Sequence, residues 1–168
     1  PLDPSRTWDE NRLAHGFRRA NERIIAQSLS TPRLRGMGTT AVAMLAGHDG
    51  VTIAHVGDSR AYLVRSGHLT QLTADHTLYN ELLKAHLGDA DLCAPTEAQR
   101  NVLVRALGTE PNLAVDLGRV EPQRGDVFVL CTDGLYGPVP DDVILATVSS
   151  AGTLDGAVKT LVDRANAA

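Results

Sequence analysis

Apolar residues recur along this chain with a helical period at its two ends and with a strand-like period between them. Leu13, Phe17, Ala20 and Ile24 mark one helical face, and Thr7 with Glu10 three residues on forms a capping box. An amphipathic helix is therefore expected to run to about Gln27. The polar stretch Ser28 to Arg35 and then Gly36-Met37-Gly38 read as loop. Thr39 to Leu45 and Val51 to Val56 are rich in β-branched residues and flank Gly47-His48-Asp49-Gly50, which predicts a hairpin. A second hairpin is expected from Ala61 to Arg65 and His68 to Leu72, turning at Ser66-Gly67. Thr77 can cap a short helix bearing Leu78, Leu82 and Leu83, followed by an irregular excursion from Gly88 to Pro95. Thr96 and Gln99 offer another capping box, with Gly108 as its stop signal. Strands resume at Leu113 to Val120 and at Val127 to Cys131, the second apolar throughout and therefore expected to be central and covered on both faces. Pro140-Asp141-Asp142 starts a helix with acids at its positive end, and Leu154, Val158, Leu161 and Ala165 mark a last one. Antiparallel strands between terminal helices give an α+β class, with sheets packed together and helices outside.

Composition narrows the functional classes. A chain of 168 residues suits one domain. Its apolar share of 43% and charged share of 21% are ordinary for a globular protein. The net charge of −4, with lysines and arginines scattered singly, offers no stripe for nucleic-acid or lipid phosphates. No apolar run is long enough to span a membrane, and Pro1-Leu2-Asp3-Pro4 does not open a targeting signal. Cys93 and Cys131 form no C-x-x-C pair, so neither a zinc site nor a disulfide framework is indicated, and a reducing, cytoplasmic setting is expected.

Two aspartates carry the candidate chemistry. Asp58 follows Gly57 where a β-rich run ends, and Asp133 follows the apolar strand and precedes Gly134. Carboxylates at strand ends have a rigid base, and an adjacent glycine lets the chain turn sharply. Such oxygen ligands suit magnesium or manganese, which can generate a hydroxide nucleophile and clamp a phosphoryl group. Each Asp could equally cap its own turn. Arg60 could grip phosphate or tie adjacent loops. Asp75-His76 could be an acid/base pair or a polar pair fixing the turn into the following helix. His55 reads as packed or surface-facing, and Cys131 as a small apolar residue. The run Gly36 to Ala41 matches G-x-G-x-x-A, with Asp58 near the spacing of a ribose-binding acid. That motif needs a strand before it and a helix after it, and the pattern here is the reverse.

Six segments together carry a resemblance: Gly36-Met37-Gly38-Thr39-Thr40-Ala41; Ala54 to Tyr62 with Gly57-Asp58-Ser59-Arg60; Leu72 to His76; Arg100-Asn101 with Arg105 to Gly108; Gly125-Asp126; and Leu130 to Leu135 with Thr132-Asp133-Gly134. In this order they resemble the bacterial type 2C (PPM) metal-dependent serine/threonine protein phosphatases. The resemblance implies two packed antiparallel sheets flanked by helices, with a flap subdomain at about 78–101. It implies hydrolysis of phosphoserine and phosphothreonine by metal-activated water, with two central magnesium or manganese ions and a possible third. Asp133 corresponds to a ligand of a central ion and Asp58 to a ligand of the third, while Arg100 and Asn101 lie in the flap that helps select substrate. A phosphorylated protein, set by an opposing serine/threonine kinase, is the implied partner. The family's opening Asp-Gly motif and closing Asp-Asn motif do not occur within these 168 residues, and Glu97-Ala98 stand where many members have His-Pro. These departures leave a phosphatase-like binding or regulatory module without catalysis as the alternative.

Overall fold

The structure is a computed structural model, and it describes residues 2–47, 50–88 and 95–168. The first helix, α1, spans Trp8–Ser30. Both halves of its capping box form: the Thr7 backbone N–H donates to Glu10 Oε2 at 2.7 Å and the Glu10 N–H to Thr7 Oγ1 at 3.3 Å. The helix runs a turn past the predicted end because Ser28 is buried against the next loop, where its hydroxyl accepts the Gly36 N–H at 2.9 Å. Pro32–Leu34 then form a 3-10 turn within the expected loop.

Among the described residues six strands follow: β1 Ala41–Gly47, β2 Gly50–Val56, β3 Arg60–Arg65, β4 His68–Gln71, β5 Asp116–Val120 and β6 Val127–Cys131. They build two three-stranded antiparallel sheets, ordered β1-β2-β5 and β4-β3-β6. Both hairpins form as the alternation predicts, although His48 and Asp49 lie outside the described residues. In the β3–β4 turn Ser66 and Gly67 both take positive φ, 50° and 77°, the backbone sense that matches strand twist in a two-residue hairpin.

Strand alternation sorts the core into three layers of contact. On β2, Ala54 and Val56 face α1 and meet Phe17, Leu107 and Leu113, while Val51 and Ile53 face the other sheet and meet Ala61 and Phe128. On the second sheet, Val64, Val127 and Val129 face outward toward α4 (Asp141–Ser150) and α5 (Leu154–Ala167), meeting Ile144, Val148 and Leu161. The result is helix, sheet, sheet, helix, as the period predicts. Between β4 and β5 lie α2 (Leu78–Gly88) and a 3-10 turn at Glu97–Gln99; α3 (Asp133–Tyr136) is a single turn after β6.

Four expectations need correction. The Thr96/Gln99 capping box forms, but it starts one 3-10 turn and no helix to Gly108. Bridges between Thr77 and Leu103 and between Thr39 and Leu107 instead draw this β-branched stretch into extended pairing. β5 begins at Asp116, three residues after the expected start. β6 is not central: β3 is its one partner among the described strands, and Leu130 is 39% exposed. Its apolar run reports that helices cover one face and the opposite sheet the other, which says nothing about its hydrogen-bonding edge. On α5, Ala157 and Leu161 carry the buried stripe, whereas Leu154 and Val158 are exposed. The excursion at 89–94, with Cys93, lies outside the described residues.

One side chain locks α1 to the loop before β5. Asn21, 1% exposed, accepts the Gly108 N–H on Oδ1 at 2.7 Å and donates Nδ2–H to the Glu110 carbonyl at 2.8 Å. Gly108 has φ +91°, and a Cβ there would sit 2.8 Å from the Met37 carbonyl oxygen. Asn21→Ala strips partners from both backbone groups and is expected to cost about 1–3 kcal/mol, read as a lower urea midpoint at unchanged slope. A midpoint equal to wild type would show that the bridge contributes nothing.

Candidate metal and phosphate site

Register decides where the two candidate carboxylates lie. In the antiparallel pairing of β3 with β6, Arg60 stands opposite Cys131. Asp58 is two residues before Arg60 and Asp133 two residues after Cys131, so both emerge at the same end of the same strand pair. Their proximity shows in the ionisation of Asp58. Burial pushes its carboxyl above the usual range, and the neighbouring Asp133 and Asp75 charges push the same way. Among the described residues no side chain donates a hydrogen bond to either carboxylate. Asp58 is partly buried and Asp133 exposed; mutually repelling oxygen donors with no cationic side chain bonded to them fit a hard divalent cation, whose charge would relieve the repulsion.

The Asp58 turn links the two sheets, from β2 in one to β3 in the other, and it is held on every side. Gly57 has φ +99°, and a Cβ there would overlap the Thr40 side chain. Ser59 and Thr40 hydroxyls meet at 2.8 Å, which joins the loop after Gly36-Met37-Gly38 to this turn. A helix precedes that glycine pair and a strand follows it, so it is no dinucleotide fingerprint. The Gly57 N–H donates to His76 Nδ1 at 3.0 Å, and the His76 N–H returns a bond to the Gly57 carbonyl at 3.0 Å.

Arg60 is spent on structure. Nε lies 3.0 Å from both Asp75 oxygens and Nη2 2.6 Å from Oδ2, while Nη1 donates to the Tyr62 hydroxyl at 2.8 Å. Its guanidinium carbon sits 3.6 Å from the centre of the Tyr136 ring. Burial disfavours the charge, but the bonds to Asp75 and Tyr62 outweigh it and hold the guanidinium pKa above its ordinary value. Asp75 also accepts Gln71 Nε2–H at 2.9 Å, and its carbonyl accepts Asn80 Nδ2–H at 2.9 Å. Asp75 and His76 thus serve different partners and are not an acid/base pair.

His76, 1% exposed, belongs to a separate cluster. The β2–β5 register sets Asp116 opposite His55, and the His55 ring stacks on His76 with centroids 4.7 Å apart. His55 Nε2 donates to the Ala74 carbonyl at 3.0 Å. Because His76 Nδ1 accepts from Gly57, its proton is on Nε2, which faces Asp116 Oδ2 at 3.2 Å. Arg105 Nη1, 3.0 Å from Nε2, therefore finds its acceptor in Asp116 Oδ1 at 2.5 Å. His55, His76 and Asp116 bring ligand-type atoms within 4.8 Å of one another. With the His76 nitrogens engaged and a guanidinium already seated on Asp116, this cluster is a packed hydrogen-bond network. The sequence reading named His55 and His76 but missed the other two members: Asp116 shows only as a charge interrupting the run Leu113 to Val120, and Arg105 only as part of a motif.

Arg100 and Asn101 line a cavity of about 600 Å³ with Tyr79, Asn80, Tyr136 and Arg60. The Arg100 guanidinium pairs with Glu97 and lies 4.1 Å from the Tyr79 ring centre. Cys131 is set apart from this chemistry, since burial pushes its thiol up to about 11.

Burial, the largest influence, with Arg105 and His55 beside it, holds His76 below its ordinary pKa against the opposing pull of Asp116. The unfolded chain therefore binds a proton near pH 6.5 that the folded chain refuses, and stability falls as pH drops through and below that value. In His76→Gln the loss of unfolding free energy between pH 7 and pH 5 is expected to be smaller than in wild type. Equal losses in paired urea titrations would contradict this.

Comparison with known proteins places the geometry in a lineage. The family model described as protein phosphatase 2C matches residues 2–168. A serine/threonine phosphatase stp of Listeria monocytogenes is 38% identical over 161 residues, covering 95% of this chain and 62% of that protein. Among solved structures, the serine/threonine phosphatase Stp1 from Staphylococcus aureus superposes with TM-score 0.82 at 28% identity, over 99% of this chain and 65% of that one. The catalytic domain of the serine/threonine protein phosphatase PstP in complex with 2 manganese ions superposes with TM-score 0.75 at 34% identity, over 88% and 60%. The chain thus spans under two thirds of the length of these relatives. Its motifs, its paired antiparallel sheets and this match across nearly every residue establish that the chain belongs to the protein phosphatase 2C family.

Proposed function

We propose that this chain carries the core of a phosphatase that hydrolyses phosphoserine and phosphothreonine in proteins, with water activated by magnesium or manganese. The observation that carries the reading is the β3–β6 register, which gathers Asp58 and Asp133 at one strand end with Asp58 already resisting ionisation. On this reading Asp133 holds one of two central ions and Asp58 a third. The manganese in the PstP relative supports the choice of metal. When bound, the ions would supply a hydroxide nucleophile and neutralise phosphoryl charge. The protein's own residues do the rest. Gly57, at φ +99°, lets the chain turn at Asp58, while the α3 turn that begins at Asp133 follows directly on β6. Arg60 and Asp75 neutralise one another, so neither competes for phosphate or metal.

Residues 78–101 act as the flap. Arg100 and Asn101 border a cavity that Arg60 and Tyr136 also line, and the Arg100 guanidinium, resting on Tyr79, can turn from Glu97 to a substrate's acidic groups. A phosphoprotein made by a serine/threonine kinase in the cytoplasm is the substrate class that fits. No helix among the described residues is long and apolar enough to cross a membrane.

Phosphate release from a phosphothreonine peptide tests the proposal, measured on the 168-residue chain and on the gene product containing it. The gene product should turn over with manganese and stop on chelation. Losing an outer-shell partner of a metal typically costs 10–100-fold, so Asp133→Ala should cost at least about a hundredfold. Turnover that survives chelation, or that is unaffected by Asp133→Ala, would overturn the assignment.

A further inference from the structure

We infer that Tyr136 is a positioning residue for the candidate metal site, its hydroxyl locking the Asp58 turn to the helical turn that carries Asp133. This rests on the metal reading of those two carboxylates. Tyr136 closes α3, three residues after Asp133, and its hydroxyl donates to the Asp58 carbonyl oxygen at 2.9 Å across 78 positions of sequence. The ladder between β3 and β6 ends at Arg60 opposite Cys131, so its bonds do not reach either aspartate. The Tyr136 hydroxyl is the link beyond the last rung.

The two ends of this link are firmly held. On the Asp133 side, α3 closes through the Leu135 N–H to the Thr132 carbonyl at 3.0 Å and the Gly137 N–H to the Asp133 carbonyl at 2.9 Å. On the Asp58 side, the preceding peptide is pinned by His76. The ring itself is clamped by Arg60, whose guanidinium covers its face at 3.6 Å while forked onto Asp75. Two carboxylates that repel each other would drift apart if their turns moved independently. A rigid aromatic strut with one hydrogen bond limits that independent motion of the two turns.

The test is manganese binding to the 168-residue chain, followed by the electron paramagnetic resonance signal of the free ion, with urea midpoints as the check on folding. Tyr136→Phe keeps the ring under Arg60 and removes only the hydroxyl. It should weaken binding about threefold to tenfold, the range of one hydrogen bond. Tyr62→Phe removes another hydroxyl from the Arg60 network without touching Asp58, and its affinity should match wild type. If Tyr136→Phe binds like wild type while Asp58→Asn binds more weakly, the positioning role is wrong and the metal reading stands. If both tyrosine variants weaken binding alike, the effect is general and the role is likewise wrong. If Asp58→Asn binds like wild type, the metal reading fails and takes the inference with it.

Discussion

The antiparallel pairing of β3 with β6 is the constraint on which the site depends. Side chains on paired strands have fixed neighbours, and a slip of one residue would turn every one of them to the opposite face. Setting Arg60 against Cys131 commits Val127 and Val129 to the helices, Phe128 to the space between the sheets, and the two aspartate turns to a common end. The core and the acidic site therefore share one register. Burial of Val64, Val129 and Ile144 on one side and Ala61 and Phe128 on the other stabilises that register.

Around this ladder the polar groups divide the work of neutralising charge. Asp75 takes Arg60, Asp126 takes Arg65 through bonds of 2.8 and 2.7 Å, and Asp116 takes Arg105. Each of these aspartates is consumed by a guanidinium that ties one stretch of chain to another. Asp58 and Asp133 are left without such a partner among the described residues. That division separates structural acids from candidate ligands by physical criterion: a paired carboxylate is satisfied, whereas crowded and unpaired ones fit a cation.

The Asp58 turn gathers elements far apart in sequence. Thr40 from the loop before β1, His76 from the approach to α2, and Tyr136 from α3 each hold a different atom of Gly57 to Ser59. His76 in turn rests on His55 and Asp116, so the link between the two sheets is anchored to the first sheet by imidazole packing and to the second by a tyrosine. Family membership accounts for the recurrence of these segments in one order, and the contacts account physically for the types found at each position.

Much of the fold was legible in the sequence because it depends on local periodicity. The capping box at Thr7, both hairpins, the Thr77 cap and the start at Pro140 are decided by neighbouring residues, and each formed where the pattern placed it. The sequence also supplied Asp58 and Asp133 as carboxylates at strand ends. What it could not supply was anything set by pairing between distant segments. The apolar run Val127 to Cys131 read as central because covered faces and a paired edge leave the same composition, and the stretch after Gln99 left its helix because Thr39 and Thr77 offered bridges. Arg60 and Asp75 became a fork, Asp116 came to stand opposite His55, and Tyr136 reached Asp58 only once the sheets had stacked. By itself the sequence determined which elements form and which residues can carry charge. Tertiary structure alone decided which charges meet, since that depends on strand register and layer packing over separations that no local pattern records.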